Sequence, residues 1–252
     1  KHLPFGKKLF WAPALTRIND IMMDFSPHVV HIVNPLILGT VASQYAVKLE
    51  IPTVVSYHTN YLSSLKRLHL NNRVSEKMVW KARQKVSANA SLNLCTSHVM
   101  RHALEKYGIR GAHVLKRGVD SEKRSPRFAS EDMRLILNKG QRDKKLLVYV
   151  GSLLKRKELE SLLPLLRRRD DVCLAIVGDG EYRSELERAF AGTNCVFTGY
   201  LRGRNLAEAY ASGDAFIFPT LDEQVGLTLL EAMASGVPII AAQSPLTTEQ
   251  FH

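Results

Sequence analysis

At 252 residues, 45% hydrophobic and 23% charged, the chain is too long for a minimal domain and has room for one large or two ordinary globular ones. Its longest apolar runs, such as 34–47, carry polar residues and fall short of the roughly 20 residues that cross a bilayer. The net charge of +11 is unevenly spread: residues 1–142 carry +14 and residues 143–252 carry −3, so two domains with different partners are expected. Cys95, Cys173 and Cys195 have neither CxxC spacing nor a nearby histidine cluster. They read as small buried hydrophobes in a reducing compartment, and no structural metal is expected.

In chain order, the sequence opens at Lys1 rather than Met, with a loop and a helix. A first domain lacking its opening strands, with any targeting segment upstream, is the expectation. Strand candidates follow at 28–33, 52–58, 91–96, 146–151, 172–178, 195–199, 215–219 and 238–242, mostly separated by helical stretches. They are apolar throughout rather than alternating, the pattern of parallel strands covered on both faces. The repeated β-α order predicts an α/β protein.

Residues 72–89 form an amphipathic helix in which Arg73, Lys77, Lys81 and Lys85 recur every four positions beside Val74, Met78, Ala82 and Val86. Lys66 and Arg67 lie upstream among Leu62, Leu65 and Leu68. The region 66–85 can lie on an anionic membrane surface or be an ordinary surface helix. Apart from Trp80 it lacks interleaved aromatics, so a nucleic-acid partner is not expected. The polar stretch 120–145 coincides with the change of charge sign, which predicts domains at 1–142 and 143–252. Two doubly wound domains facing across a cleft would bind ligands at the C-terminal ends of their strands.

In the second half, "GDGEY" (178–182) follows a strand without completing a dinucleotide fingerprint; Gly178 and Gly180 are expected to form a turn that a nucleotide can approach. The stretch 216–242 reads as strand, polar loop and helix, the helix starting near Gly226. N–H groups from Val225 to Thr228 would be open to an anion. Glu223 and Glu231 flank this turn in "EQVGLTLLE". Spacing leaves two readings: a helix-start charge with an ion-paired core acid, or two ligands for sugar and ribose hydroxyls. Metal-binding DxD, Walker, HExxH and GxSxG patterns do not occur.

Glutamates separated by seven residues, followed by "EAMASGVPIIA", together with "SYHT" (56–59), "RGVD" (117–120), "VGDG" (177–180), "FTGYL" (197–201) and "AYASGDAFIFP" (209–219), resemble the retaining glycosyltransferases of family 4. The resemblance runs over about 200 residues and is greatest to the sulfolipid-synthase group, which transfers sulfoquinovose from UDP-sulfoquinovose to diacylglycerol. It implies a GT-B-like fold of two Rossmann-type domains, no cofactor, no metal, a nucleotide-sugar donor with UDP-sugar favoured, and a lipid acceptor. Localisation would be peripheral to a membrane, plastid for the sulfolipid reading and otherwise the cytoplasmic face.

By the same resemblance, Glu223 holds donor-sugar hydroxyls, Glu231 the ribose, and Lys157 the diphosphate. Backbone N–H groups of Val225, Gly226 and Leu227 face sugar and diphosphate, Tyr200 and Leu201 meet the base, and His58 lies near the reacting carbon. Ser152 stands where the family places an arginine on the diphosphate. Losing one charge-assisted contact costs about tenfold to a hundredfold in binding or rate. Alternatives are an α-mannosyl- or α-glucosyltransferase, a sugar-nucleotide epimerase, or an inactive nucleotide-sugar-binding chain.

Overall fold

A computed structural model describes residues 17–33, 35–58, 73–221, 223 and 226–251. The chain forms two compact units that divide between Lys116 and Arg117.

In the first unit, β1 (Val30–Ile32), β2 (Thr53–Tyr57), β3 (Leu92–Cys95) and β4 (His113–Val114) form a parallel sheet in that order. The two-residue β4 is too short to leave a sequence pattern and was not among the expected strands. Helices α1 (Arg17–Phe25), α2 (Ile37–Lys48), α3 (Arg73–Ala88) and α4 (His98–Lys106) accompany it. Ile32, Val55, Tyr57, Trp80, Val86, Cys95, Met100 and Leu104 pack into its core. Ser97 caps α4, its Oγ accepting from the Met100 N–H at 3.1 Å.

In the second unit the parallel sheet runs β7 (Cys195–Gly199), β6 (Val172–Val177), β5 (Lys145–Val150), β8 (Ala215–Phe218), β9 (Ile239–Ala241). Its order reverses between β5 and β8. Helices α5 (Glu131–Leu137), α6 (Leu163–Arg168), α7 (Arg183–Ala189), α8 (Gly203–Ala211), α9 (Leu227–Ala234) and α10 (Pro245–Phe251) complete it. The continuous apolar runs are explained by two cores. Leu146, Val148 and Val150 point into one with Phe216, Phe218 and Leu229; Leu147 and Tyr149 point into the other with Leu174, Ile176 and Ile217. Period-two geometry sends alternate residues to opposite faces, and both faces are buried. All three cysteines are buried and none is in a disulfide, and burial pushes the Cys195 thiol up to about 12.

The division between units precedes the change of charge sign at 142/143, because residues 117–142 pack with the second sheet. The Ser130 N–H donates to Ser212 Oγ at 2.9 Å. Arg134 donates from Nη1 to the Ser212 carbonyl at 2.9 Å and pairs through Nη2 with Asp214 at 2.7 Å. Charge, which is carried by surface residues, did not report this packing. Burial opposes ionisation of Asp214, but the hydrogen bonds from Arg134 and the Leu146 N–H outweigh it and hold the carboxyl below the usual range. A depressed carboxylate stabilises the fold above its unfolded pKa of about 3.9, and that contribution disappears as pH falls through the folded value. Asp214→Asn is therefore expected to be less stable than the unsubstituted protein at pH 7, with the gap closing below about pH 4 in denaturant titrations. A gap independent of pH would contradict this assignment.

Candidate active site

Of the residues singled out in the second unit, Ser152 and Lys157 follow β5, and Glu223, Gly226, Leu227 and Glu231 follow β8, the two strands between which the order reverses. Gly178 follows β6, and Tyr200 and Leu201 follow β7. Such a reversal is where open α/β sheets bind ligands. After β5 the chain passes Gly151 and Ser152 into a 3-10 turn, Lys155–Lys157. Lys155 and Arg156 are exposed, whereas Lys157 is buried and forms an ion pair with Glu223, which follows β8. Thr220 Oγ1 donates to the Lys157 carbonyl at 3.4 Å, tying the two loops together. Burial, and then the Glu223 charge, pushes the Tyr149 hydroxyl far above its ordinary value. That hydroxyl donates to the Ser152 carbonyl at 3.3 Å.

Gly226 precedes α9 with φ of 59°. A side chain there would be strained, and its Cβ would come within 3.0–3.1 Å of the Gln250 amide and Leu229 Cδ1. The N–H groups of Leu227 and Thr228, at the first helical positions, lack intrahelical acceptors. Val225, assigned to the same anion site, lies outside the described residues. One turn on, Glu231 is held on both oxygens. Oε1 pairs with Arg124 Nη2 at 3.0 Å, and Oε2 accepts from the Tyr210 hydroxyl at 2.7 Å. Burial first, and the Glu231 charge second, raises the Tyr210 hydroxyl.

The structure adds a packing requirement for glycine at 178 that the sequence did not show. With φ at 139°, a Cβ on Gly178 would lie 1.9 Å from the Gly151 carbonyl oxygen, so backbone packs on backbone there. A Cβ on Gly180 would meet the Leu153 carbonyl at 2.2 Å. Both glycines lock the loop bearing Ser152 and Lys157 against the loop after β6. Tyr200 is 67% exposed, and Leu201 packs at the margin of the core.

His58 belongs to the first unit, at the end of β2. Its Nε2 lies 2.8 Å from Ser56 Oγ, which is also 2.9 Å from His31 Nε2. Residues missed in the sequence are therefore Arg124 and Tyr210 around Glu231, and His31 and Ser56 around His58. Each sits far along the chain from its partner or in a motif read for other reasons.

Along α3, Val86 of the expected apolar stripe is buried and Ala82 half-buried, while Val74 and Met78 are 69% and 67% exposed. The face turned to the core carries Trp80, Arg83, Val86 and Ser87 instead. Lys77, Lys81 and Lys85 are exposed beside Val74 and Met78. Residues 59–72, including Lys66 and Arg67, lie outside the described residues. Between α3 and the end of α4 is an open groove of about 670 Å³, lined by Lys77, Trp80, Lys81, Lys106 and Tyr107 among others. Trp80 and Tyr107 stack at 3.9 Å with an interplanar angle of 4°.

Two family models match the chain, that of glycosyltransferase family 4 over residues 1–123 and that of glycosyl transferases group 1 over residues 144–250. The sulfoquinovosyl transferase SQD2 of Arabidopsis thaliana is 36% identical over 245 residues, which cover 96% of this chain and 48% of that protein. A GDP-mannose-dependent alpha-mannosyltransferase of Mycolicibacterium smegmatis is 34% identical over 225 residues, covering 89% of this chain and 58% of the relative. Among solved structures, Anabaena Alr3699/HepE in complex with UDP and glucose aligns with a TM-score of 0.75 at 17% identity, over 94% of this chain and 64% of that one. At that identity the likeness shows the fold, which is GT-B. The chain spans about half the length of the curated relatives it matches. One model falls on each half of the sequence, and the chain belongs to glycosyltransferase family 4.

Proposed function

We propose that the protein transfers a sugar from a nucleoside diphosphate to a lipid hydroxyl with retention of configuration, the donor being UDP-sulfoquinovose and the acceptor diacylglycerol. The observation that carries this reading is the contact of Lys157 with Glu223 at the order reversal of the second sheet. A cation for a diphosphate and a carboxylate for sugar hydroxyls stand side by side. In the proposed complex the diphosphate draws Lys157 toward itself, and Glu223 turns its freed lone pair to the sugar. Lys157 and the N-terminus of α9 then stabilise charge on the leaving diphosphate. Glu231 accepts from the ribose, while Tyr200 and Leu201 flank the base. His58 orients the sugar. With the diphosphate itself taking the acceptor proton on the face it leaves, neither glutamate acts as a nucleophile.

The sulfoquinovosyl assignment is supported by the 36% identity to SQD2. A second reading, a GDP-mannose-dependent mannosyltransferase, is supported by the 34% relative. Calorimetric titration with UDP, UDP-sulfoquinovose and GDP-mannose separates them, followed by turnover with diacylglycerol. Selective binding of the GDP-sugar would overturn the sulfolipid reading, and failure of every nucleotide to bind would overturn the donor site.

The lipid acceptor is supported by the exposed face of α3, where three lysines flank apolar Val74 and Met78. This face would rest on an anionic leaflet, placing the protein peripherally on a membrane, that of the plastid under the sulfolipid reading. Each cation near such a surface contributes about 1 kcal/mol. Changing Lys77, Lys81 and Lys85 together to Glu is expected to weaken binding to phosphatidylglycerol vesicles by about a hundredfold or more, with no effect on phosphatidylcholine vesicles. Equal binding by both proteins in co-sedimentation would remove α3 from the membrane interface.

A further inference from the structure

Arg124 has no role in the site as read from sequence, yet it is built into it. The turn before it is fixed by Asp120, whose Oδ1 accepts from the N–H groups of Glu122 and Lys123 at 3.2 and 3.1 Å, while its carbonyl accepts from the Arg124 N–H at 2.9 Å. The Arg124 side chain, only 13% exposed, then turns inward over the Tyr210 ring, 5.6 Å from its centroid. Nη1 donates to the Lys123 carbonyl at 3.0 Å, and Nη2 reaches Glu231. A flexible surface cation would have none of these constraints.

A carboxylate has about four lone-pair positions, two on each oxygen. Arg124 occupies one on Oε1 and Tyr210 one on Oε2. What remains is one open acceptor position per oxygen, which matches the two hydroxyls of a ribose diol. The guanidinium also cancels the carboxylate charge, which would otherwise oppose a diphosphate arriving near the start of α9.

We propose that Arg124 is a positioning residue of the donor site: by pairing with Glu231 it fixes the carboxylate so that both oxygens face a ribose diol, making the site selective for ribonucleoside over 2′-deoxyribonucleoside diphosphates. This inference rests on the reading of Glu231 as the ribose ligand. Tyr210 holds the second oxygen and Arg124 the first, so removing the arginine leaves the carboxylate pinned at one end and able to rotate. Lysine retains the charge but lacks the planar fork that sets the angle.

The test is calorimetric titration of the unsubstituted protein, Arg124→Gln and Arg124→Lys with a ribonucleoside diphosphate and its 2′-deoxy counterpart, using uridine or guanosine according to which binds. The unsubstituted protein is expected to prefer the ribo form by about tenfold or more, the lower end of the value of one hydrogen bond to a charged group. In Arg124→Gln the preference falls toward one, and in Arg124→Lys it falls at least halfway on a logarithmic scale. A purely structural arginine would lower the melting temperature and leave the ratio unchanged. An unchanged ratio in a folded variant overturns the role of Arg124 while the donor site stands, and Arg124→Lys decides the matter if Arg124→Gln does not fold. Failure of the unsubstituted protein to bind either ribonucleotide overturns the donor site and this inference with it.

Discussion

Replacing Lys157 by Met is expected to lower turnover of the nucleotide-sugar donor by about 10²–10³-fold, the scale of losing one preorganised group aimed at developing charge. Lys157 is buried at the end of its turn, and its ammonium meets Glu223 rather than solvent. The same nitrogen has two partners in the proposed cycle, the carboxylate before the donor arrives and the diphosphate afterwards. Its loss therefore acts twice, removing charge stabilisation from the leaving group and leaving Glu223 without its cation in a half-buried place. Breaking a buried pair from one side is destabilising by about 3–5 kcal/mol, and the partial exposure of Glu223 puts this site below that range. Single-turnover rates at saturating donor separate the chemical loss from weaker binding. Glu223→Gln serves as the partner variant, since it frees Lys157 without removing it. If Lys157→Met kept more than a tenth of the single-turnover rate, the diphosphate role would be wrong.

Gly178→Ala is expected to be the most destabilising small substitution in the second unit, by about 3 kcal/mol or more. The added methyl would fall 1.9 Å from the Gly151 carbonyl oxygen, and the backbone at φ of 139° is one that L-residues rarely adopt. Backbone cannot rotate aside as a side-chain tip can. Relief requires the loop after β5 to move away from the loop after β6, breaking the 3.0 Å bond from the Gly151 N–H to the Val177 carbonyl. Because Ser152 and Lys157 ride on that loop, donor binding should weaken together with stability. Equilibrium denaturation would show the loss as a lower midpoint. A change below about 1 kcal/mol would mean the two loops are not locked through this contact.

Much of the fold was legible because its parts have strong local signals. Eight parallel strands reveal themselves as short β-branched runs, and residues 145–150 do so most clearly because both faces of β5 are covered. The start of α9 was equally visible, since a glycine before an apolar run marks both a backbone requirement and a helix end. What stayed hidden was pairing at a distance. Nothing in "KRSPRF" announces that Arg124 meets Glu231, and nothing in "AYASGD" announces that the Tyr210 hydroxyl takes its other oxygen. Periodicity reports which face of an element is apolar, not which element lies opposite. The backbone packing at Gly178 stayed hidden for a related reason. A glycine that admits a ligand and one that admits another backbone look identical in sequence.

The attachment of α5 to the second sheet also sets an order of events during synthesis. The ribosome delivers Arg134 eighty residues before Asp214, the carboxylate that receives it. Ser130 likewise emerges 82 residues ahead of Ser212. Domains fold largely as units as they leave the exit tunnel. The first unit can close once its own strands are out, but the contacts of Ser130 and Arg134 have to wait until Ser212 and Asp214 arrive just before β8. A translational pause after β7 would lengthen that wait for the polar clasp, while Met133 and Leu137 already have Leu146, Val148, Ala175 and Val177 to pack against.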